Sequence, residues 1–231
     1  MAVGPERISR VTWKPSYRLV PSKFPPIQLY ERVAETADLE AIIAIENLTN
    51  ERLRDEVGEI QLLAPEDRIA GPGTSPIMAA FTHVNPEGGR FTDGRFGAYY
   101  AARDLETAVH ESVHHREIFL ARTQEAPGEM DMRCYLADLD ADLVDIRGLQ
   151  ATRPELYNRD SYADSQPFAR NLRAEGAMGI VWNSVRRPGG ECVAAFKPRA
   201  LQPTMQGPHL SFVWDGKRIA SYYEKGRLAS L

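Results

Sequence analysis

The pattern that most constrains the fold lies between residues 178 and 198. Two apolar runs, MGIVWNS and CVAAFKP, enclose the segment VRRPGGE, which contains a proline and two glycines. Short apolar runs separated by residues of this kind are typical of buried strands that are joined by a turn. We therefore predict a β-hairpin at this position.

Other segments show helical or strand periodicity. Helical spacing follows Asp38 in DLEAIIAIENLTNERLRDEVGEI, a second helix is predicted from an N-cap at Asp104 to about Arg122, and SYADSQPFARNLRAEGA also has a helical pattern. Strands are predicted for SYRLVP, IMAAFTHV, AYYAA and MRCYLADLDADLVDIR, with a further hairpin in LSFVWDGKRIASYYE. Grouped strands with interspersed helices favour an α+β fold over a doubly wound α/β sheet.

Composition argues against nucleic-acid and membrane partners. The net charge is −4 and the pI is near 5.8, so the chain has no general attraction to polyanions. No apolar run is long enough to span a bilayer, and the opening MAVGPERISR lacks a signal-peptide core, so a cytoplasmic location is expected. Cys134 and Cys192 form no CxxC pair and are expected to be two reduced, buried thiols.

An H-E-x-x-H string runs from His110 to His114. On a helix this spacing places two imidazoles on one face, where they can share a zinc ion while the glutamate activates water. The extended signature fails, because Glu117 and Leu120 stand where it requires Gly and His. Helical angles instead predict an exposed polar face for both histidines, and a zinc hydrolase is retained only as an alternative.

Three blocks of sequence resemble the RES-domain family. They are GGRFTDGRFGAYYAARDLETAVHE, the earlier YRLVPSKFPPIQLYERVA and the later GIVWNSVRRPGGECVAAF. The resemblance implies one RES domain over residues 1–231, with an ADP-ribosyltransferase-like split β-sheet core and flanking helices. Residues 1–28 are rich in proline and basic residues and are predicted to form an extended N-terminal arm with one short strand. Relative to the family pattern, 38–75 is a helical insertion and 199–231 a C-terminal extension.

The resemblance also implies a function. Members of the family are typically toxins of toxin–antitoxin pairs that consume NAD by hydrolysis, phosphorolysis or transfer of ADP-ribose to a protein. Their partner is an Xre-type helix-turn-helix antitoxin, and a homo-oligomer within that complex is one option. No metal is expected, and NAD is the substrate. A binding module that kept the fold without catalysis is a second alternative.

The resemblance places site residues at matched positions of this sequence. Glu111 would bond a ribose hydroxyl and stabilise positive charge, and the ring of Tyr100 would stack on nicotinamide. Arg90, in the GGR block, would contact phosphate, and Ser184 would bond the ribose or the carboxamide. The N-terminal arginine of the site is Arg18 or Arg32, with Arg18 preferred. The chain departs from the family pattern at Glu191-Cys192, where an asparagine is often found.

Overall fold

A computed structural model describes residues 7–22, 31 and 58–226. In these ranges the chain forms three α-helices and seven strands, with short 3₁₀ turns between them. The helices are α1 (Ser75–Thr82), α2 (Leu105–Thr123) and α3 (Ser165–Ala174). The strands are β1 (Ile8–Pro21), β2 (Tyr99–Ala102), β3 (Gly128–Asp145), β4 (Gly179–Asn183), β5 (Glu191–Ala195), β6 (Met205–Trp214) and β7 (Ile219–Glu224).

The strands form two antiparallel groups that meet at short junctions. One group is β2-β5-β4, and the other is β1-β3-β6-β7. β1 touches β2 through the single pair Tyr17↔Ala102, and β3 runs parallel to β4 only at its last residues. This arrangement confirms the predicted α+β class with a split sheet and flanking helices.

The hairpin predicted at residues 178–198 is confirmed as β4 and β5. Along β5, Val193 and Ala195 belong to one core cluster, whereas Cys192 and Ala194 belong to another. Alternate side chains of a strand point to opposite faces, so the hairpin is buried on both sides. Helix α1 contributes to the first cluster and α3 to the second, which explains why the sequence of the hairpin strands is uninterruptedly apolar.

The N-terminal region differs from the predicted arm with one short strand. β1 is paired with β3 along its own length, from the pair Ile8↔Val144 to the pair Pro21↔Met132. Pro15 lies in the register irregularity between Trp13 and Ser16, where a missing N–H costs no ladder hydrogen bond. The proline and basic residues therefore interrupt the strand pattern in the sequence without ending the strand.

Helix α1 was predicted as a strand in IMAAFTHV, and that prediction is wrong. Pro76 stands in the first turn, where its fixed φ favours a helix and its missing N–H is not needed. Ile77, Met78 and Phe81 are buried, so the helix shows the core an almost continuous apolar surface. An apolar run this short does not distinguish a buried helix from a buried strand.

The remaining helix and strand predictions are confirmed within the described ranges. α2 and α3 are helices, AYYAA and the segment before Arg147 are strands, and β6 and β7 form the second hairpin. β6 pairs with β3, so the predicted C-terminal extension enlarges the central sheet. The helix predicted from Asp38 lies outside the described residues as far as residue 57. Among the described residues, no helix is both long enough and apolar enough to cross a membrane.

Gly97 supplies a test of the packing between the segment before β2 and α1. A Cβ at this position would lie 2.2 Å from the Ala80 carbonyl oxygen and 2.5 Å from the Phe81 Cα. We expect Gly97→Ala to lower the free energy of unfolding by about 1–3 kcal/mol, as overpacking of a rigid core does. Urea denaturation measures the change.

The matched control is Gly128→Ala, where the nearest heavy atom to a new Cβ is 3.8 Å away. This variant should unfold at the parent urea concentration to within experimental error. Equal stability of the two variants would contradict the close approach at Gly97.

Candidate active site

The first turn of α2 fixes the position of the site. Asp104 caps the helix: its carboxylate accepts hydrogen bonds from the Thr107 backbone N–H and from the Thr107 hydroxyl, each at 2.8 Å. The turn of the β4–β5 hairpin lies against the same threonine, because a Cβ on Gly190 would be only 2.6 Å from Thr107 Oγ1. A glycine here lets the hairpin lie close beside the helix that carries Glu111.

The Glu111 carboxylate is held by the hairpin. Ser184 Oγ donates to Glu111 Oε1 at 2.5 Å, and Cys192 Sγ donates to the same oxygen at 3.7 Å. Ser184 Oγ in turn accepts from the backbone N–H groups of Arg186 and Arg187, both at 3.0 Å. Two backbone donors therefore orient the hydroxyl, and the hydroxyl orients the carboxylate.

The second carboxylate oxygen has different surroundings. Glu111 Oε2 accepts no hydrogen bond from the residues described here, and Glu111 lines an open cleft. A carboxylate with one oxygen fixed and the other accessible can bond a hydroxyl or face a developing positive charge. The arrangement also shows that the Ser184 hydroxyl, which the resemblance assigned to substrate, is engaged with Glu111.

Tyr100 organises the glycine-rich loop before β2. Its Oη accepts from the Phe91 backbone N–H at 3.0 Å and shares a hydrogen bond of 3.1 Å with Thr92 Oγ1. A Cβ on Gly89 would lie 3.0 Å from the same Oη, so the loop backbone passes directly over the phenol. Burial raises the pKa of Tyr100 to about 12, and the phenol is protonated at neutral pH. The ring also packs edge-on against Trp182, with 6.3 Å between ring centroids.

Arg90 is buried beneath the cleft. Its Nη1 donates to the carbonyl oxygens of Leu156 and Asn158, at 3.0 and 2.7 Å, and its guanidinium lies 5.0 Å from the centroid of the Tyr162 ring. Only 6% of the residue is exposed, and burial lowers the pKa of the guanidinium while the nearby Glu111 charge opposes that shift. One nitrogen of Arg90 therefore secures the turn at residues 154–158.

Arg18 contacts the backbone of Tyr100. Its Nη1 donates to the Tyr100 carbonyl oxygen at 3.0 Å, and its guanidinium stands 4.8 Å from the centroid of the Tyr99 ring. Burial lowers the pKa of this guanidinium. Arg18 Nε is buried and has no hydrogen-bond partner within the described part of the chain. Arg32, the competing arginine, lies outside the described residues.

These side chains surround one cleft of about 2290 Å³. Arg18, Arg90, Tyr100 and Glu111 line it directly, and Ser184 joins the site through its bond to Glu111. The structure thus brings together every predicted site residue that it describes. The cleft is also lined by His114 and Cys192, and by four residues that the sequence did not single out: Arg116, Arg159, Tyr162 and Trp182.

The two histidines of the H-E-x-x-H string have unlike surroundings. His110 is exposed, as predicted. His114 was also predicted to be exposed, and this is wrong: it is partly buried, with Nε2 accepting from Arg186 Nη2 at 2.7 Å. An imidazole nitrogen that accepts from a guanidinium has its lone pair engaged, and this contact argues against His114 as a zinc ligand. Within residues 7–22, 31 and 58–226, no group of three or more His, Cys, Asp or Glu side chains is arranged to hold a metal.

Comparison with known proteins places this geometry in context. Residues 65–215 match the model of the RES domain. The chain is 36% identical over 207 residues to "Uncharacterized protein y4oC" of Sinorhizobium fredii (strain NBRC 101917 / NGR234), an alignment that covers 90% of this chain and 86% of that protein. A solved structure, the M. tuberculosis MbcT–MbcA toxin–antitoxin complex, aligns with a TM-score of 0.47 and 12% identity, over 89% of this chain and 87% of the other.

The contact with Arg186 predicts how His114 titrates. Burial first, and the Arg186 charge second, lower the pKa of His114 below its ordinary 6.5. As the pH falls, His114 is therefore protonated in the unfolded chain before it is protonated in the folded chain. The contribution of His114 to stability declines as the pH falls below about 6.5. An NMR titration of the imidazole Cε1 proton should give a midpoint below 6.5.

The variant Arg186→Ala should move that midpoint upwards without restoring it fully, because burial remains. A midpoint at or above 6.5 in the parent protein, or no change in the variant, would contradict the assigned contact.

Proposed function

Because the chain belongs to the RES-domain family, we propose that it is an NAD-consuming toxin that cleaves NAD⁺ at the bond between nicotinamide and ribose. One observation carries the proposal beyond family membership. Glu111 has one carboxylate oxygen fixed by Ser184 and lines a cleft with Arg18, Arg90 and Tyr100. These are the residue types that cleavage of a charged N-glycoside requires.

The proposed reaction breaks the bond between ribose C1′ and the pyridinium nitrogen. The electron pair of that bond passes to nicotinamide, which leaves neutral, and positive charge develops on the ribose as in glycoside cleavage. Glu111 stabilises this charge and accepts a hydrogen bond from a ribose hydroxyl through Oε2. A nucleophile then bonds to C1′ and releases its proton.

The remaining residues have proposed binding roles. Arg18 and Arg90 supply positive charge for the pyrophosphate, although Arg90 Nη1 is already bonded to backbone carbonyls. Arg18 Nε is buried and has no hydrogen-bond partner among the described residues, which favours a polar ligand beside it, since buried donors are rarely left unsatisfied. Tyr100 forms an aromatic wall for nicotinamide, and its hydrogen bonds to the loop keep the ring in place.

The acceptor of ADP-ribose is proposed to be a protein, with water or phosphate as competing acceptors. This preference rests on the length of the chain, because the segments 38–75 and 199–231 exceed the family pattern. We further propose a cytoplasmic protein neutralised by a helix-turn-helix antitoxin of the Xre type, as the family resemblance implies.

Replacement of Glu111 tests the catalytic proposal. The purified parent chain should release nicotinamide from NAD⁺, and Glu111→Gln should reduce the rate at least about 100-fold, as loss of a charge-stabilising group does. Glutamine keeps the size of the side chain and an acceptor for Ser184, so the fold should be retained. Chromatography of nicotinamide measures the rate.

The matched control is His110→Ala, a change one position earlier on the exposed side of α2. It should leave the rate within about two-fold of the parent, whereas a zinc hydrolase would lose activity in this variant and on chelation.

Expression in cells adds a second readout. The parent chain should arrest growth, and a neighbouring helix-turn-helix protein should restore it. If Glu111→Gln arrests growth as strongly as the parent, the chain acts as a binding module instead.

The fate of ADP-ribose needs a separate experiment. NAD⁺ labelled in its adenylate moiety is incubated with the chain and whole lysate, and transfer to a protein should leave label on a discrete band. The band should be absent with Glu111→Gln. Label recovered as free ADP-ribose would instead identify water as the acceptor, and phosphate-dependent formation of ADP-ribose 1-phosphate would identify phosphate.

A further inference from the structure

We infer that Cys192 is a positioning residue of the active site, which acts with Ser184 to fix Glu111 Oε1 and to leave Oε2 for substrate. The inference rests on the proposed catalytic role of Glu111. Cys192 Sγ lies 3.7 Å from Glu111 Oε1, the oxygen that also accepts from Ser184 Oγ. Two donors on one oxygen define the plane and direction of the carboxylate better than one donor alone.

The backbone of Cys192 is held on both sides. It pairs with Trp182 of β4 and with Ala102 of β2, because β5 is the middle strand of its group. Only 3% of the residue is exposed. A short side chain on a doubly paired strand has little freedom, so its sulfur is a fixed point against which the longer glutamate side chain is oriented.

The Cys192 thiol is in the protonated form that a hydrogen-bond donor requires. Burial, followed by the charge of Glu111, raises the pKa of the Cys192 thiol well above its usual value, so the group remains S–H throughout the neutral range. A thiol is a weak donor, and its hydrogen bond to a charged carboxylate acts together with the stronger bond from Ser184. A thiolate in the same place would repel Glu111.

The other cysteine provides a contrast within the same molecule. Cys134 is also a free, buried thiol, but the acceptor nearest its sulfur is the backbone carbonyl oxygen of Tyr135 at 3.9 Å. If both cysteines served only as small apolar side chains, their replacement would have the same effect on catalysis. The positioning role predicts that only Cys192 matters for the rate.

The test compares Cys192→Ala with Cys192→Ser in full-length protein, using nicotinamide release from NAD⁺. Alanine and serine have nearly the same volume, so the pair isolates the donor from the cavity that both create. Cys192→Ala should lower kcat about three- to ten-fold, the fold-change expected for one net hydrogen bond, with the KM for NAD⁺ within about two-fold of the parent. Cys192→Ser should recover most of the lost kcat.

Cys134→Ala and Cys134→Ser are the matched controls and should keep the parent kcat. Equal impairment of Cys192→Ala and Cys192→Ser, an unchanged kcat in Cys192→Ala, or a rise in KM alone would each overturn the inference. Should Cys192→Ala fail to fold, Cys192→Val fills the volume without a donor and takes its place in the comparison. An inactive parent chain would contradict the proposed function itself, whereas an active parent with active Cys192→Ala contradicts only the positioning role.

Discussion

The close contact between Gly190 and Thr107 is the constraint on which the site depends. Any side chain at Gly190 would overlap the threonine, and Thr107 belongs to the turn that Asp104 caps. The hairpin is thereby held along α2, and Glu111, one helical turn beyond Thr107, meets Ser184 of the hairpin. A capped helix end and a glycine turn thus bring into contact two residues that are 73 positions apart in the sequence.

The polar groups around the cleft are stabilised mainly by the backbone. Arg18 bonds a carbonyl of β2, Arg90 bonds two carbonyls near residues 156–158, and Tyr100 bonds an amide of the glycine-rich loop. Such contacts limit side-chain motion before any ligand arrives, which lowers the entropic cost of binding. Arg90 also keeps positive charge close to Glu111, from a buried position where electrostatic interactions are stronger than in water.

Local sequence patterns predicted an element correctly where one physical preference dominated. The apolar runs on either side of the turn at Pro188 predicted the hairpin, and Asp104 predicted the start of α2. Local patterns failed where tertiary packing decided between two possible local structures. The run after Ser75 is a helix that packs its apolar residues into the core. β1 continues past Pro15 because it pairs with β3 on both sides of that residue. His114 was misplaced because helical angles cannot reveal that Arg186 covers that face.

The sequence by itself determined the fold class, the helix that carries Glu111 and, through the family resemblance, the residue types of the site. Only the tertiary structure decided which oxygen of Glu111 is held, that Cys192 is a second donor to it, and that Arg90 secures a turn with one of its nitrogens. The reason is physical. Periodicity along a chain specifies which face of an element is buried, but the partner on that face depends on strand register and helix placement, which are set by contacts between residues far apart in sequence.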